Sequence, residues 1–253
     1  MKKVITSLVL VLIVVGAVLF SVRSALNKRG MFRQFHEIST AFEPANLELY
    51  RSLLPQPLEM PGRPVVAMFV IDYVEVFPWP MTRYQEGAVA LRCKYNGEEG
   101  WHVKTMPVTK QVPNWGGRFL GFPKYVADEI TLQSSGQSWK GEVKQAGETR
   151  LALEFTSENM RELTTDEKEF MESGAAQLKE PLFLFVPPDK GPTLQKVMVV
   201  QTVEPQWTAK QGMVKITIAP KEPWAGLLPA GSVAPGLFQE FTGGAILVPT
   251  KLK

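Results

Sequence analysis

The chain has 253 residues, 45% hydrophobic and 21% charged, which is ordinary for a globular protein and allows a membrane segment plus one large domain, or at most two small ones. Its formal net charge of +3 sits at the N-terminus: the first 29 residues hold five of the 28 basic residues and no acidic one, leaving −2 for the rest, so nucleic acid is not expected as a partner. A single cysteine, Cys93, and two histidines, His36 and His102, exclude a disulfide framework, a thiolate metal cluster and a His-rich metal site.

The chain begins with an uncharged, almost wholly apolar run, Val4 to Val22, flanked by Lys2 and Lys3 before it and by Arg23, Lys28 and Arg29 after it. A run of this length with no small-x-small cleavage site reads as an uncleaved signal anchor. The expectation is a single-pass membrane protein, with residues 1–30 as the anchor and its basic flank. Residues 31–253 then form one domain lying outside the cytoplasm.

The domain reads as β-dominated. Leu47, Leu49, Leu53 and Leu54 give a short apolar helical face that Pro55 and Pro57 end. Val65 to Val74 is a continuous apolar run, the mark of a strand buried on both faces. Val89, Leu91, Cys93 and Tyr95 alternate with Ala90, Arg92 and Lys94, and Asn96 to Gly100 turns the chain into a second strand through Trp101 and Val103. Three segments beginning at Glu129, "EITLQSS", "WKGEVKQ" and "RLALEFT", predict a meander. A capping-box pattern, Thr164 with Glu167, predicts a helix to Leu178. "PLFLFVP", "QKVMVVQTV", "MVKITIAP" and the tail "GLFQEFTGGAILVP" read as further strands. The fold class is therefore β-dominated α+β: a closed or barrel-like antiparallel sheet with a few peripheral helices, which hides its strand edges.

One lysine stands in an apolar setting. In "GGRFLGFPKYVADEITL", Lys124 follows Pro123 and is surrounded by Leu120, Phe122, Tyr125 and Val126. An amine among apolar side chains is pushed towards its neutral form, by up to about 3–5 pKa units when fully buried. Trp79, Trp101 and Trp115 are candidate pocket aromatics, although isolated tryptophans more often serve the core.

"LGFPKYVADEITL" resembles the lysine-bearing segment of acetoacetate decarboxylase and its superfamily. The resemblance extends in order along the chain. "LLPQPLEM" is similar to the family's turn after its first helix, and "RYQEGAVALRCKYNGEEGW" to the stretch carrying its active-site glutamate, which falls on Glu86. The C-terminal strands follow the same pattern, for a coverage of about Phe35 to Pro249. The resemblance implies a cofactor-free lyase in which Lys124 attacks a small keto acid and forms a Schiff base. Acetoacetate decarboxylase is itself the known example of a lysine activated for this purpose. It further implies Glu86 as an orienting or proton-handling group, Arg118, Phe122 and Tyr125 as substrate contacts, no metal or organic cofactor, and assembly as an oligomer.

Three positions depart from the family pattern. Tyr125 stands where a second lysine usually follows the first. The lead-in from Arg118 is one residue short, and an alternative alignment moves the reactive position onto Arg118 itself. Phe35, His36 and Glu37 occupy the region of the family's substrate-handling arginine, so Arg33, Arg118 or Lys110 would have to meet a substrate carboxylate. Two other readings remain: aldolase or dehydratase chemistry on the same lysine, or a non-enzymatic module that binds an apolar small molecule.

Overall fold

A computed structural model describes residues 21–22, 24–26, 28–78, 81–157, 180–188, 193–250 and 252. The helix expected from Thr164 to Leu178, Trp79, and all but the end of the apolar run Val4–Val22 lie outside these. Among the described residues no helix is long and apolar enough to cross a membrane. The single-pass membrane localisation expected from the sequence, with the domain outside the cytoplasm, is corrected on that finding. Of the run only Ser21 and Val22 are described; beyond it come Ser24, Lys28 and Arg29, and the chain is a strand from Phe32.

Among the described residues, eleven strands and few helices make up the fold. In chain order they are β1 (Phe32–Phe42), α1 (Leu47–Leu53), β2 (Val66–Val76), β3 (Tyr84–Tyr95), β4 (Glu98–Val108), α2 (Gln111–Phe119), β5 (Lys124–Val126), β6 (Glu129–Ser135), β7 (Ser138–Gln145), β8 (Glu148–Thr156), β9 (Leu182–Val186), β10 (Thr193–Ile218) and β11 (Val233–Thr250). Short 3-10 turns at Ala225–Leu227 and Ala230–Ser232 precede β11. The expected β elements are present, with two refinements. "QKVMVVQTV" and "MVKITIAP" belong to one 26-residue strand, β10, which stays continuous by bulging between Gln201 and Gln206. The β3–β4 turn is tighter than expected: Asn96 and Gly97, at φ 48° and 83°, are its two central residues, and the strand resumes at Glu98.

The sheet is mostly antiparallel. Its neighbours run β11–β1–β2–β3–β4–β9–β10–β8–β7–β6, with β10 also pairing β11 along most of its length. β4 and β9 meet through one residue pair, Trp101 with Leu182. The strand pairing there is a single residue pair, so the ring is not the clear barrel that the sequence suggests. β5 adds to β4 in parallel.

Two apolar layers use opposite faces of the same strands. Val66, Met68 and Val70 of β2 pack with Val89 and Leu91 of β3 against Val143, Leu151, Leu153 and Phe155 of the β6–β8 arm. Ala67 and the partly buried Phe69 of β2, with Ala88 and Ala90 of β3, face the other way, towards Trp101, Val103, Met106, Phe122 and Leu184. This double burial is why β2 is apolar at every position from Val66 to Ile71 rather than alternating. Helix α1 is closed at its start by Asn46, whose side chain accepts the Leu49 N–H at 2.9 Å.

His102 is buried on β4. Its Nδ1 meets the Phe183 carbonyl at 3.0 Å, and its Nε2 has no hydrogen-bond partner among the described residues. Burial disfavours the imidazolium and lowers the group to about 4 from its ordinary 6.5. The unfolded chain therefore binds a proton here between those two values that the folded chain does not, and stability falls as the pH drops from about 6.5 towards 4. The loss is roughly 3 kcal/mol at full extent. Glu37, raised to about 6 from 4.5 by burial, acts with the opposite sign: its contribution is present below 4.5 and is lost as the pH rises through about 6. Thermal unfolding of the wild type and of His102→Gln between pH 7 and 4 separates the two. The variant is expected to lose much of the acid-side fall in Tm, and an unchanged fall would rule His102 out as its source.

Candidate active site

The inner face of the sheet carries two rows of side chains set by strand register. Phe35 of β1 pairs Phe241 of β11 and Tyr73 of β2, and Tyr73 pairs Tyr84 of β3. Trp207 of β10 pairs Phe241 and extends this row to five aromatics. Two residues along, Glu37 pairs Gln239 and Ile71, and Ile71 pairs Glu86. Residues i and i+2 of a strand share a face, so the aromatic row and the Gln239–Glu37–Ile71–Glu86 row line one surface.

Lys124 meets this surface from β5, whose register sets it beside Met106 of β4. It is 6% exposed and Glu86 is 2% exposed, and the Lys124 ammonium donates to Glu86 Oε2. The amine lies 5.8 Å from the centre of the Tyr84 ring and 5.7 Å from that of Phe122. Burial raises the Glu86 carboxyl above its usual range, and Lys124 works against that rise. Tyr73 and Tyr84 are also pushed well up, by burial first and by the Glu86 carboxylate second, so both phenols keep their protons and remain donors. Glu37 is half-buried, accepts from Gln239 Nε2 at 3.0 Å and is further bonded by Ser39.

The lysine reaches Glu86 only because α2 gives way. A Cβ built on Gly117 would lie 2.3 Å from Lys124 Cδ and 2.5 Å from Cε, whereas one on Gly116 would meet nothing within 4 Å. Pro113 and Gly117 form the buried side of α2, while Trp115 and Phe119 point outward at 66% and 82% exposure.

The five residues expected from the sequence are not all brought together. Glu86, Lys124 and Phe122 converge. Arg118 instead donates to the Lys124 main-chain carbonyl at 2.9 Å, so it braces the loop rather than facing the site. Tyr125 follows Lys124 on a strand and points to the opposite side, where it packs on the core between β2, β3 and the β6–β8 arm. Trp101 is core, and Trp115 is a surface residue. Strand β1 went unread in the sequence, and Glu37 with it, because Glu37 and Ser39 fall at inward positions where alternation would predict apolar residues. The remaining signal was register with Phe35 and Ala41 on the same face. Among the described residues no group of three His, Cys, Asp or Glu side chains is placed to hold a metal ion.

A mostly antiparallel sheet of 11 strands with few helices is a fold of the acetoacetate decarboxylase type. Residues 23–240 match the family model for acetoacetate decarboxylase, and the chain belongs to that family. No curated protein sequence matches it. Among solved structures, it resembles the acetoacetate decarboxylase of Legionella pneumophila at 22% identity and a TM-score of 0.64, covering 87% of this chain and 86% of that one. A second acetoacetate decarboxylase structure gives 16%, 0.65, 89% and 92%. The enduracididine biosynthesis enzyme MppR, solved with the condensation product of pyruvate and imidazole 4-carboxaldehyde, gives 16%, 0.58, 85% and 87%. At these identities the likeness is one of fold.

Gly117→Ala is expected to push the Lys124 side chain off Glu86 while leaving the sheet intact. The overpacking cost of about 1–3 kcal/mol and the loss of the buried ion pair outweigh the roughly 1 kcal/mol that alanine contributes in a helix, so Tm should fall. The measurement is reductive labelling of Lys124 by a small carbonyl compound, with Gly116→Ala as control. Labelling should drop about tenfold or more in Gly117→Ala, as a 1 Å misplacement can cost more than that, and stay unchanged in the control.

Proposed function

We propose that the chain is a cofactor-free lyase that forms a Schiff base between Lys124 and a small keto compound. The observation that carries this reading is the buried Lys124–Glu86 pair. Burial raises the Glu86 carboxyl against the pull of the amine it touches, which makes Glu86 a group able to exchange a proton with that amine. In this reading Glu86 is the group that takes the amine's proton before attack.

The neutral amine adds to the carbonyl carbon to give a carbinolamine. Glu86 returns its proton to the hydroxyl, water departs, and an iminium forms opposite the Glu86 carboxylate. The iminium withdraws electrons from a bond at the neighbouring carbon, whose electron pair becomes the enamine. Protonation of the enamine and hydrolysis of the imine release the product and the amine. Tyr84, a neutral phenol beside the lysine, is a donor for the carbonyl oxygen.

A second reading within the same chemistry draws on a specific observation. A keto acid, the substrate class implied by the family resemblance, brings a carboxylate that calls for a cation. Arg33 is engaged with Glu75 at 2.9 Å, Lys110 with Thr82 at 2.7 Å and Arg118 with the Lys124 carbonyl. Aldol-type or dehydration chemistry on a carbonyl compound requires no such cation. MppR, a neighbour in fold, is solved with a pyruvate–aldehyde condensation product, which fits bond formation and cleavage next to an imine.

Borohydride reduction in the presence of small ketones and aldehydes, followed by peptide mapping, tests the proposal. A stable adduct is expected on Lys124 and is lost in Lys124→Arg. In Glu86→Gln its rate of formation should fall about a hundredfold, the lower range for a positioned acid–base group. A Lys124 that stays unmodified with every carbonyl offered would sink the Schiff-base reading.

A further inference from the structure

We propose that Glu37 and the aromatic row beside it select a carbonyl compound bearing an ammonium group, a small amino ketone or amino aldehyde, in place of a keto acid. The inference rests on the Schiff-base reading of Lys124 and deepens it by naming the substrate class.

Glu37 is a half-buried carboxylate whose partners, Gln239 and Ser39, are both neutral donors. Among the described residues no cation lies within ion-pair distance of it, whereas Glu86 has Lys124 and Asp72 has Arg83. An uncompensated carboxylate at a site that must take a ligand attracts positive charge and repels a second carboxylate. That it is held up to about 6 by burial and by Glu86 shows how little positive charge the site itself supplies.

Glu37 and Glu86 are two strands apart in one row, about 10 Å between backbones, so the charge of Glu37 acts across the inner face on a ligand whose carbonyl is at Lys124. In the adjacent row, Phe35 stacks on Phe241 at 4.6 Å between ring centres, with Trp207 edge-on to both and Tyr73 edge-on to Phe35. Electron-rich ring faces attract an ammonium group and offer nothing to a carboxylate. The row ends at Trp207, which is 37% exposed and reaches water, whereas Phe241 beside it is 2% exposed.

The test uses the full chain and three probes of like size: aminoacetone, hydroxyacetone and pyruvate, each with borohydride, read as Lys124 adduct by peptide mass mapping. Aminoacetone is expected to label Lys124 at about tenfold lower concentration than hydroxyacetone, the effect of one charge partly screened at this separation, with pyruvate the weakest. Glu37→Gln should abolish the preference for aminoacetone over hydroxyacetone, and Glu37→Asp should retain part of it. Pyruvate labelling as readily as aminoacetone in the wild type would overturn the inference and leave the Schiff-base reading standing. So would a preference unchanged in Glu37→Gln. Labelling by none of the three would overturn the Schiff-base reading, and the inference with it. The wild-type comparison is decisive even if a Glu37 variant does not fold.

Discussion

The contact between Lys124 and Glu86 is the constraint around which the inner face is organised. Removing two charges from water is costly, and breaking a buried pair by deleting one partner typically costs about 3–5 kcal/mol because the other is left stranded. The fold holds both ends in regular structure. Glu86 sits on β3, hydrogen-bonded between β2 and β4, and Lys124 sits on β5, which β4 fixes in parallel register. The Arg118 guanidinium ties down the Lys124 carbonyl from α2, and Gly117 clears the way for the side chain. A hydrophobic pair would serve stability as well, so a pair kept at this cost points to chemistry.

Around this contact, each sheet face has a separate task. The outward face of β2 and β3 packs on the β6–β8 arm and supplies ordinary apolar stabilisation. The inward face accepts buried carboxylates, phenols and an amine, each with a partner or a shifted proton affinity. Within the family pattern the chain differs where charge matters most. Tyr125 replaces a second lysine and turns away from the site. At the start of the domain an acid, Glu37, faces inward in the region of the expected arginine. Of the two, only Glu37 changes the charge of the inward surface.

Much of this was legible in the residues because packing leaves a periodic trace. Continuous burial made β2 a solid apolar run, alternation marked β3, and Asn96 to Gly100 announced the hairpin. Strand β1 left no such trace because its inward positions Glu37 and Ser39 serve the site rather than the core. Helix α2 was equally unread: its two adjacent glycines argue against a helix, and only the need to clear Lys124 explains the second of them. The ring-closing step escaped for a different reason. Whether β4 and β9 join along their length or at one residue pair depends on strand curvature, which no local pattern encodes.

From the sequence alone came the β-rich class, the family, and Lys124 and Glu86 as candidate catalytic residues, since these follow from local periodicity and from the order of short motifs. Only the tertiary structure decided which way each side chain faces. It turned Arg118 to the backbone and Tyr125 to the far core, and it brought Glu37, 49 positions before Glu86 in the chain, into the same row of the sheet. Facing is set by register between strands far apart in sequence, and register is fixed by the packing of both sheet faces together, so it exists only once the chain has closed on itself.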